Sequence, residues 1–472
     1  MDIDNIIDIN KFNHFHFIGI GGIGMSAIAL TLLSKGKSVS GSDKNYSNII
    51  NKLESLGANV AIGEHKKENI PAGTQIIVKS TAIHDENPEL AFARENDIKI
   101  YHRSDLLNNF LRTFNSVAVT GTHGKTSTST LMSLILKEAD FDPTAIIGGK
   151  VHQFGDCNAL IGKSNYLVAE VDESDQSIHK LSANYAIITN LEEDHLDHYK
   201  DLNEIITIMK KFISNMPKDG TLIVCEDSYG NKKAIEGCDK NIVTYSLFDN
   251  NTATYVAKDI KLSKNGSRFK VYRRNEFMAE FYISTAGLHY VSNALATIAC
   301  SELLGVDLDV IKKTLQEYKG VSRRFEIIDE IDGRLIIDDY AHHPTEIKAT
   351  LSVASLYKRP VTAIFQPHRY SRTKALLEDF SRAFELADRI IITDVYGAGE
   401  TEEDFNVSSI DLYNLIKKNI PAGKETHYLK LEDISDFLNR NKIESEIIIT
   451  LGAGSITNIS RTFRSIFLPK AS

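Results

Sequence analysis

Residues 115–127 read Asn-Ser-Val-Ala-Val-Thr-Gly-Thr-His-Gly-Lys-Thr-Ser. An apolar run suited to a β-strand ends in a turn punctuated by Gly121 and Gly124. Glycine lets the backbone fold tightly enough to aim successive N–H groups at an anion. Within the loop Gly121-Thr122-His123-Gly124-Lys125-Thr126-Ser127, Lys125 supplies a positive charge for β- and γ-phosphate oxygens and Thr126 a hydroxyl for Mg²⁺. Ser127–Ala139 then reads as a helix whose positive end faces the same anion. The usual phosphate-loop pattern has one more glycine, where this chain has Val119. A strand before the loop and a helix after it nonetheless predict a site for ATP or GTP rather than a chance surface turn.

Outward from this loop the chain divides into three blocks, in keeping with a length of 472 residues. The expected domains are 1–109, 110–319 and 320–472. In the first block a strand at His14–Ile20 meets the turn Gly19-Ile-Gly-Gly-Ile-Gly24, a helix runs through Leu33, and a second strand, Lys37–Ser42, ends at Asp43. Later strands are expected at Gln75–Lys79 and Ile98–Tyr101, so the block reads as a parallel, doubly wound Rossmann-like sheet. In the second block the strands Tyr166–Val171 and Tyr185–Asn190 join that of the phosphate loop in a P-loop ATPase-like sheet. Short β-branched and aromatic runs between 242 and 285 suggest added antiparallel hairpins. The third block alternates strands at Leu335–Ile337, Val361–Phe365, Arg389–Thr393 and Glu446–Leu451 with helices, a second Rossmann-like α/β pattern.

Composition narrows the function classes. A net charge of −9 offers no dominant basic face for nucleic acid. Four cysteines without Cys-x-x-Cys spacing suggest neither a disulfide framework nor a zinc site. The amino terminus opens Met1-Asp-Ile-Asp, acidic where a signal peptide is basic, and no apolar run is long enough to span a bilayer. A cytoplasmic protein with no membrane partner is expected.

Three constellations carry chemistry. The first is Gly19, Gly21 and Gly24, which fit G-x-G-x-x-G, with Asp43 nineteen positions further at a strand end. Alone this suggests a nicotinamide or flavin dinucleotide and thus an oxidoreductase; equally it fits another diphosphate over a helix N-terminus, or a turn needing glycine for packing. The second lies at two strand ends, where Glu170 is followed by Asp172, Glu173 and Asp175, and Thr189-Asn-Leu-Glu-Glu-Asp-His195-Leu-Asp-His198 offers further ligand types. Carboxylates there suit Mg²⁺, and His195 suits a second metal. The third comprises Arg323-Arg324-Phe325, Asp338-Asp339-Tyr340-Ala-His342-His343-Pro344 and His368-Arg369-Tyr370-Ser-Arg372. Its spacing does not match a zinc motif, and the cationic groups suit a small carboxylate.

Together these strings, in order and across almost the whole chain, resemble the Mur ligase family. Asp-Asp-Tyr-x-His-His-Pro and His-Arg-Tyr-Ser-Arg mark its alanine-adding branch. The resemblance implies that the first domain holds a UDP-sugar, with Gly21, Gly22, Ile23, Gly24, Met25 and Ser26 cradling the diphosphate and Ser42 and Asp43 near the nucleoside. It implies ATP and Mg²⁺ as cofactors, and L-alanine and UDP-N-acetylmuramate as substrates. ATP phosphorylates the lactyl carboxylate, and the alanine amine then displaces phosphate. By resemblance, Thr126 and Glu170 hold one Mg²⁺ and His195 helps hold another. Asn293, Arg324 and Asp339 engage ATP, and Tyr340, His342, His368, Arg369 and Arg372 surround the alanine. The family's His-Asn-x-x-Asn reads His289-Tyr-Val-Ser-Asn293 here, so only Asn293 carries over. Other readings are a ligase attaching a preformed tripeptide to the same UDP-sugar, an NAD-dependent oxidoreductase, and a non-catalytic nucleotide sensor. A monomer or a dimer is equally compatible.

Overall fold

The computed structural model describes residues 7–174, 176–195, 198–248, 252–443 and 445–467. The expected motif residue Asp175, Asp197 and the acidic amino terminus lie outside them. Three sheets succeed one another along the chain, as expected for a three-domain α/β protein. The first holds five parallel strands in the spatial order Asn59–Ile62, Ser38–Asp43, His14–Ile18, Ile76–Lys79 and Lys99–His102. Its glycine turn leads into the helix Ile23–Ser34, at the carboxyl end of the central strand.

Ten strands form the middle sheet. The phosphate-loop strand Asn115–Thr120 lies between Tyr185–Ile188 and Tyr166–Glu170, both parallel to it. The loop's helix is Lys125–Glu138, beginning two residues before the expected start. The antiparallel expectation for 242–285 needs correction at its first strand. Asn241–Ser246 runs parallel to both neighbours, Thr221–Cys225 and Tyr255–Ser263. Only Tyr255–Ser263, Gly266–Arg273 and Glu276–Ile283 pair antiparallel. A β-branched run identifies a strand, while its direction depends on the connection. The third sheet has five parallel strands and an antiparallel edge strand, Glu326–Ile331.

The hairpin Thr144–Val151 and Cys157–Leu160, not foreseen from the sequence, touches all three domains. Asn158 Nδ2 donates to Ser26 Oγ of the first helix (3.1 Å). The Gly148 N–H donates to Glu170 (2.7 Å). The Lys150 carbonyl accepts from the Ser322 N–H at the start of the third domain (3.2 Å). One apolar cluster runs from Met25, Ile28 and Leu32 through Ile146 and Ala159 to Leu167, so the first two domains share a core.

Under the first sheet lies a buried polar knot. Glu89, fully buried, accepts from His16 Nε2 (2.9 Å), Ser42 Oγ (2.9 Å), His65 Nδ1 (3.1 Å) and Asn69 Nδ2 (2.9 Å). Removing one acceptor strands four donors. Glu89→Ala is expected to cost about 3 kcal/mol or more, and Glu89→Gln less, as read from urea unfolding midpoints.

Candidate active site

The phosphate loop is braced by the neighbouring strand end. Asn190 Oδ1 accepts from the His123 N–H (2.9 Å), and Thr189 Oγ1 donates to the His123 carbonyl (2.6 Å). Gly124 has φ +83°, and a Cβ there would lie 2.6 Å from Asn293 Oδ1. Glycine is therefore required twice over, and Asn293 lies directly against the loop. Tyr290, one turn earlier on the same helix, donates its hydroxyl to the Arg324 carbonyl (3.3 Å). The departure from the family string thus links the middle domain to the third.

Lys125 Nζ lies 3.0 Å from both carboxylate oxygens of Glu173 and donates to the carbonyls of Gly121 (2.7 Å) and Thr122 (3.2 Å). Burial would discharge this ammonium, but Glu173, Asp172 and Glu170 hold its pKa above the usual lysine value. Burial raises the carboxyls of Glu170 and Glu173, Lys125 pulling each back. Asp172 stays below the usual range, because Lys125 and His195 outweigh its burial. Glu173, named in the sequence only as one acid among several, is the direct partner of the lysine.

Thr126 Oγ1 donates to Glu170 (3.0 Å), so the two expected ligands of one ion are adjacent. His195 groups instead with Asp172 and Glu173, one ligand atom of each lying within 4.8 Å of the others. Carboxylate and hydroxyl oxygens with a single imidazole fit a hard dication such as Mg²⁺.

The third domain meets this region through ion pairs. Arg372 Nε and Nη2 both lie 3.0 Å from Asp194 Oδ1, and Nη1 lies 3.3 Å from His368 Nδ1. The guanidinium expected to receive a substrate carboxylate is thus already paired across the domain seam, which holds Asp194 well below the usual carboxylate range despite its burial. Arg369 lies 3.5 Å from Glu400. Tyr340 is flanked by the guanidinium groups of Arg323 (4.9 Å) and Arg324 (5.1 Å) and stands edge-on to His342. Asp339, expected to engage ATP, accepts from the backbone N–H groups of Ala341 (2.7 Å) and Phe325 (2.8 Å). Burial raises its pKa to about 6, against the pull of Arg324. Burial likewise lowers His342 to about 4 and His368 to about 3, with Arg372 adding to the fall, so both rings are neutral at pH 7.

A cavity of about 400 Å³ joins the three domains. Gly22, Ile23, Gly24, Met25 and Arg103 wall it from the first, Asp172, Ser174 and His195 from the second, and Tyr340, His342, His368, Arg369 and Arg372 from the third. A second cavity, of about 410 Å³, opens beside Gly19, Asp43, Lys44, His65 and Asn87. Gly21, whose N–H donates to Asp43 (2.9 Å), lies between the loop and that cavity's acid. The Ser42 hydroxyl donates to Glu89 (2.9 Å), and that of Ser26 donates to the carbonyls of Gly22 (2.9 Å) and Ile23 (3.0 Å).

Residues 14–115 match the description "Mur ligase family, catalytic domain", 119–301 "Mur ligase middle domain" and 323–454 "Mur ligase, glutamate ligase domain". The chain belongs to the Mur ligase family. It is 42% identical to the UDP-N-acetylmuramate–L-alanine ligase of Caldanaerobacter subterraneus, over 97% of this chain and 98% of that protein. The enzyme of the same name from Acetivibrio thermocellus is 41% identical, over 97% of each. Among solved structures, the UDP-N-acetylmuramate–alanine ligase of Thermotoga maritima superposes with a TM-score of 0.79 at 30% identity, covering 96% of this chain and 98% of that one. A murein peptide ligase from Psychrobacter arcticus shares the fold at a TM-score of 0.71 and 23% identity, over 98% and 100% of the two chains. No helix among the described residues is long and apolar enough to cross a membrane.

His123 gives the seam a pH dependence. Burial disfavours its charge, but Glu192 (3.6 Å) and Glu346 (3.3 Å) raise its pKa to about 9. The unfolded ring titrates near 6.5, so the stabilisation is complete below that pH and is lost as pH rises through about 9. His123→Gln is expected to flatten the fall in melting temperature between pH 6.5 and 9.5, measured without nucleotide.

Proposed function

We propose that this chain joins L-alanine to the lactyl carboxylate of UDP-N-acetylmuramate at the expense of ATP, in the cytoplasmic assembly of a peptidoglycan precursor. The observation that carries the reading is the single cavity walled by the glycine loop, the Asp172–His195 cluster and the Tyr340–Arg372 wall. The names of the relatives at about 40% identity point to the same reaction. The domain assignment follows: 1–109 for the UDP-sugar, 110–319 for ATP, and 320–472 for the amino acid and closure over the nucleotide. An oxidoreductase reading of the glycine loop leaves Lys125 and its carboxylates without a task.

In this reading the phosphate-loop N–H groups and Lys125 take the β- and γ-phosphates, and Lys125 exchanges Glu173 for them. A carboxylate attacking a phosphoryl group brings anion to anion, so positive charge must be in place beforehand. Thr126 and Glu170 would hold one Mg²⁺ and His195 another, supplying further positive charge to the phosphoryl oxygens. The lactyl oxygen bonds to the γ-phosphorus as the bond to ADP breaks. The amine of alanine then attacks the acyl carbon, phosphate leaves, and the nitrogen loses its extra proton. Because His342 and His368 are neutral, their rings add no charge that would repel an incoming ammonium, and His342 can accept its hydrogen bond. His342 donates Nδ1–H to the Tyr340 carbonyl (2.9 Å), which leaves Nε2 with the lone pair. Arg369 and Arg372 orient the amino acid's carboxylate, Arg372 with Asp194 holding it in place. Closing the cavity excludes water from the hydrolysable acyl phosphate.

Phosphate release by the purified protein with ATP and Mg²⁺ is expected to require both UDP-N-acetylmuramate and L-alanine. Release with a preformed tripeptide but not with alanine would favour the tripeptide ligase, and ATP hydrolysis indifferent to the sugar would overturn the reading. Lys125→Ala is expected to lower turnover about 10²-fold or more while leaving the fold intact by circular dichroism.

A further inference from the structure

We propose that His123, Glu192 and His343 form a cation site of transition-metal type, separate from the magnesium positions, at the seam between the phosphate loop and the third domain. The inference does not depend on the reaction assigned above. One ligand atom from each residue lies within 4.8 Å of the others. The three come from separate segments: the phosphate loop, the loop after strand Tyr185–Ile188, and the cap of helix Pro344–Ser355.

Glu346 Oε1 lies 3.3 Å from His123 Nδ1. A carboxylate on one ring nitrogen orients the ring, so that a cation displacing the proton of the other nitrogen meets its lone pair, as with the outer partners of metal-bound histidines. That other nitrogen, Nε2, is buried without a hydrogen-bond partner. Glu192 Oε2 stands 3.6 Å from it, too far for a hydrogen bond. It is close to the roughly 3.3 Å that separates two ligands of a tetrahedral ion bound at about 2.0–2.1 Å. Glu192 is itself steadied by Thr345 Oγ1 (2.8 Å). The His343 ring centroid lies 4.7 Å from that of His123. Its Nε2 donates to the Glu193 carbonyl (3.2 Å), while its Nδ1 receives the Thr345 N–H at 3.3 Å, a long bond that an ion can replace.

Two imidazoles and one carboxylate suit Zn²⁺ or Co²⁺ rather than Mg²⁺, which prefers oxygen. Because His123 and Glu192 belong to the middle domain and His343 to the third, an ion there would tie the two together.

The test is titration of the full-length protein with Co²⁺ in excess Mg²⁺, followed by visible absorption. The wild type is expected to develop the bands of a low-coordinate Co²⁺ site with nitrogen ligands, and Zn²⁺ is expected to quench them. Glu192→Gln and His343→Asn should each weaken binding at least about tenfold, the asparagine preserving a helix cap. His195→Ala, which alters the other cluster, should leave the titration unchanged. The inference is overturned if the wild type shows no such bands, if they survive both substitutions, or if His195→Ala abolishes them.

Discussion

A single ammonium among buried carboxylates organises the centre of this molecule. Lys125 is removed from water, and the charges of Glu173, Asp172 and Glu170 hold it ionised there. Those acids are equally dependent on it, since burial raises both Glu170 and Glu173. The consequence is a charge that is positioned before any phosphate arrives, with Glu173 filling the role an anionic substrate would take. Strand order supplies the geometry. The phosphate-loop strand is flanked by the two strands that end in the acids and in Thr189 and Asn190, so loop, metal-ligand types and lysine share one sheet edge.

The seam between the second and third domains follows a similar electrostatic logic. Asp194 meets Arg372, Glu346 meets His123 and Arg324, and Thr345 meets Glu192. The Asp194–Arg372, Glu346–His123 and Thr345–Glu192 contacts each pair a group from one domain with a complementary group from the other, the first of them buried. Such contacts are directional, so they fix how the domains face each other more than they add raw stability. Arg372, which lines the central cavity, is held by the first of these pairs.

Much of this was legible in the chain itself. The two glycine turns between strand and helix were readable because they are local features, written within a dozen residues. The strand ends carrying Glu170 and His195 were legible for the same reason. Partners were not. Nothing near Glu89 in the sequence says that four donors from three segments converge on it, and nothing marks Glu346 as the neighbour of His123. Nor does the sequence say that the Ser42 hydroxyl turns to Glu89 and the Ser26 hydroxyl to the carbonyls of Gly22 and Ile23. The direction of Asn241–Ser246 and the hairpin at 144–160 escaped for a related reason. Pairing depends on what lies across the sheet, and a short apolar run carries no record of it.

That hairpin has mechanical meaning. It grips the helix that follows the first glycine loop through Asn158, the carboxylate beside Thr126 through Gly148, and the threshold of the third domain through Lys150. Two strands therefore serve as a shared bearing on which three bodies are mounted. The helix after the first glycine loop, Glu170 and the start of the third domain are thus all fixed to one pair of strands, which sets the spacing between them.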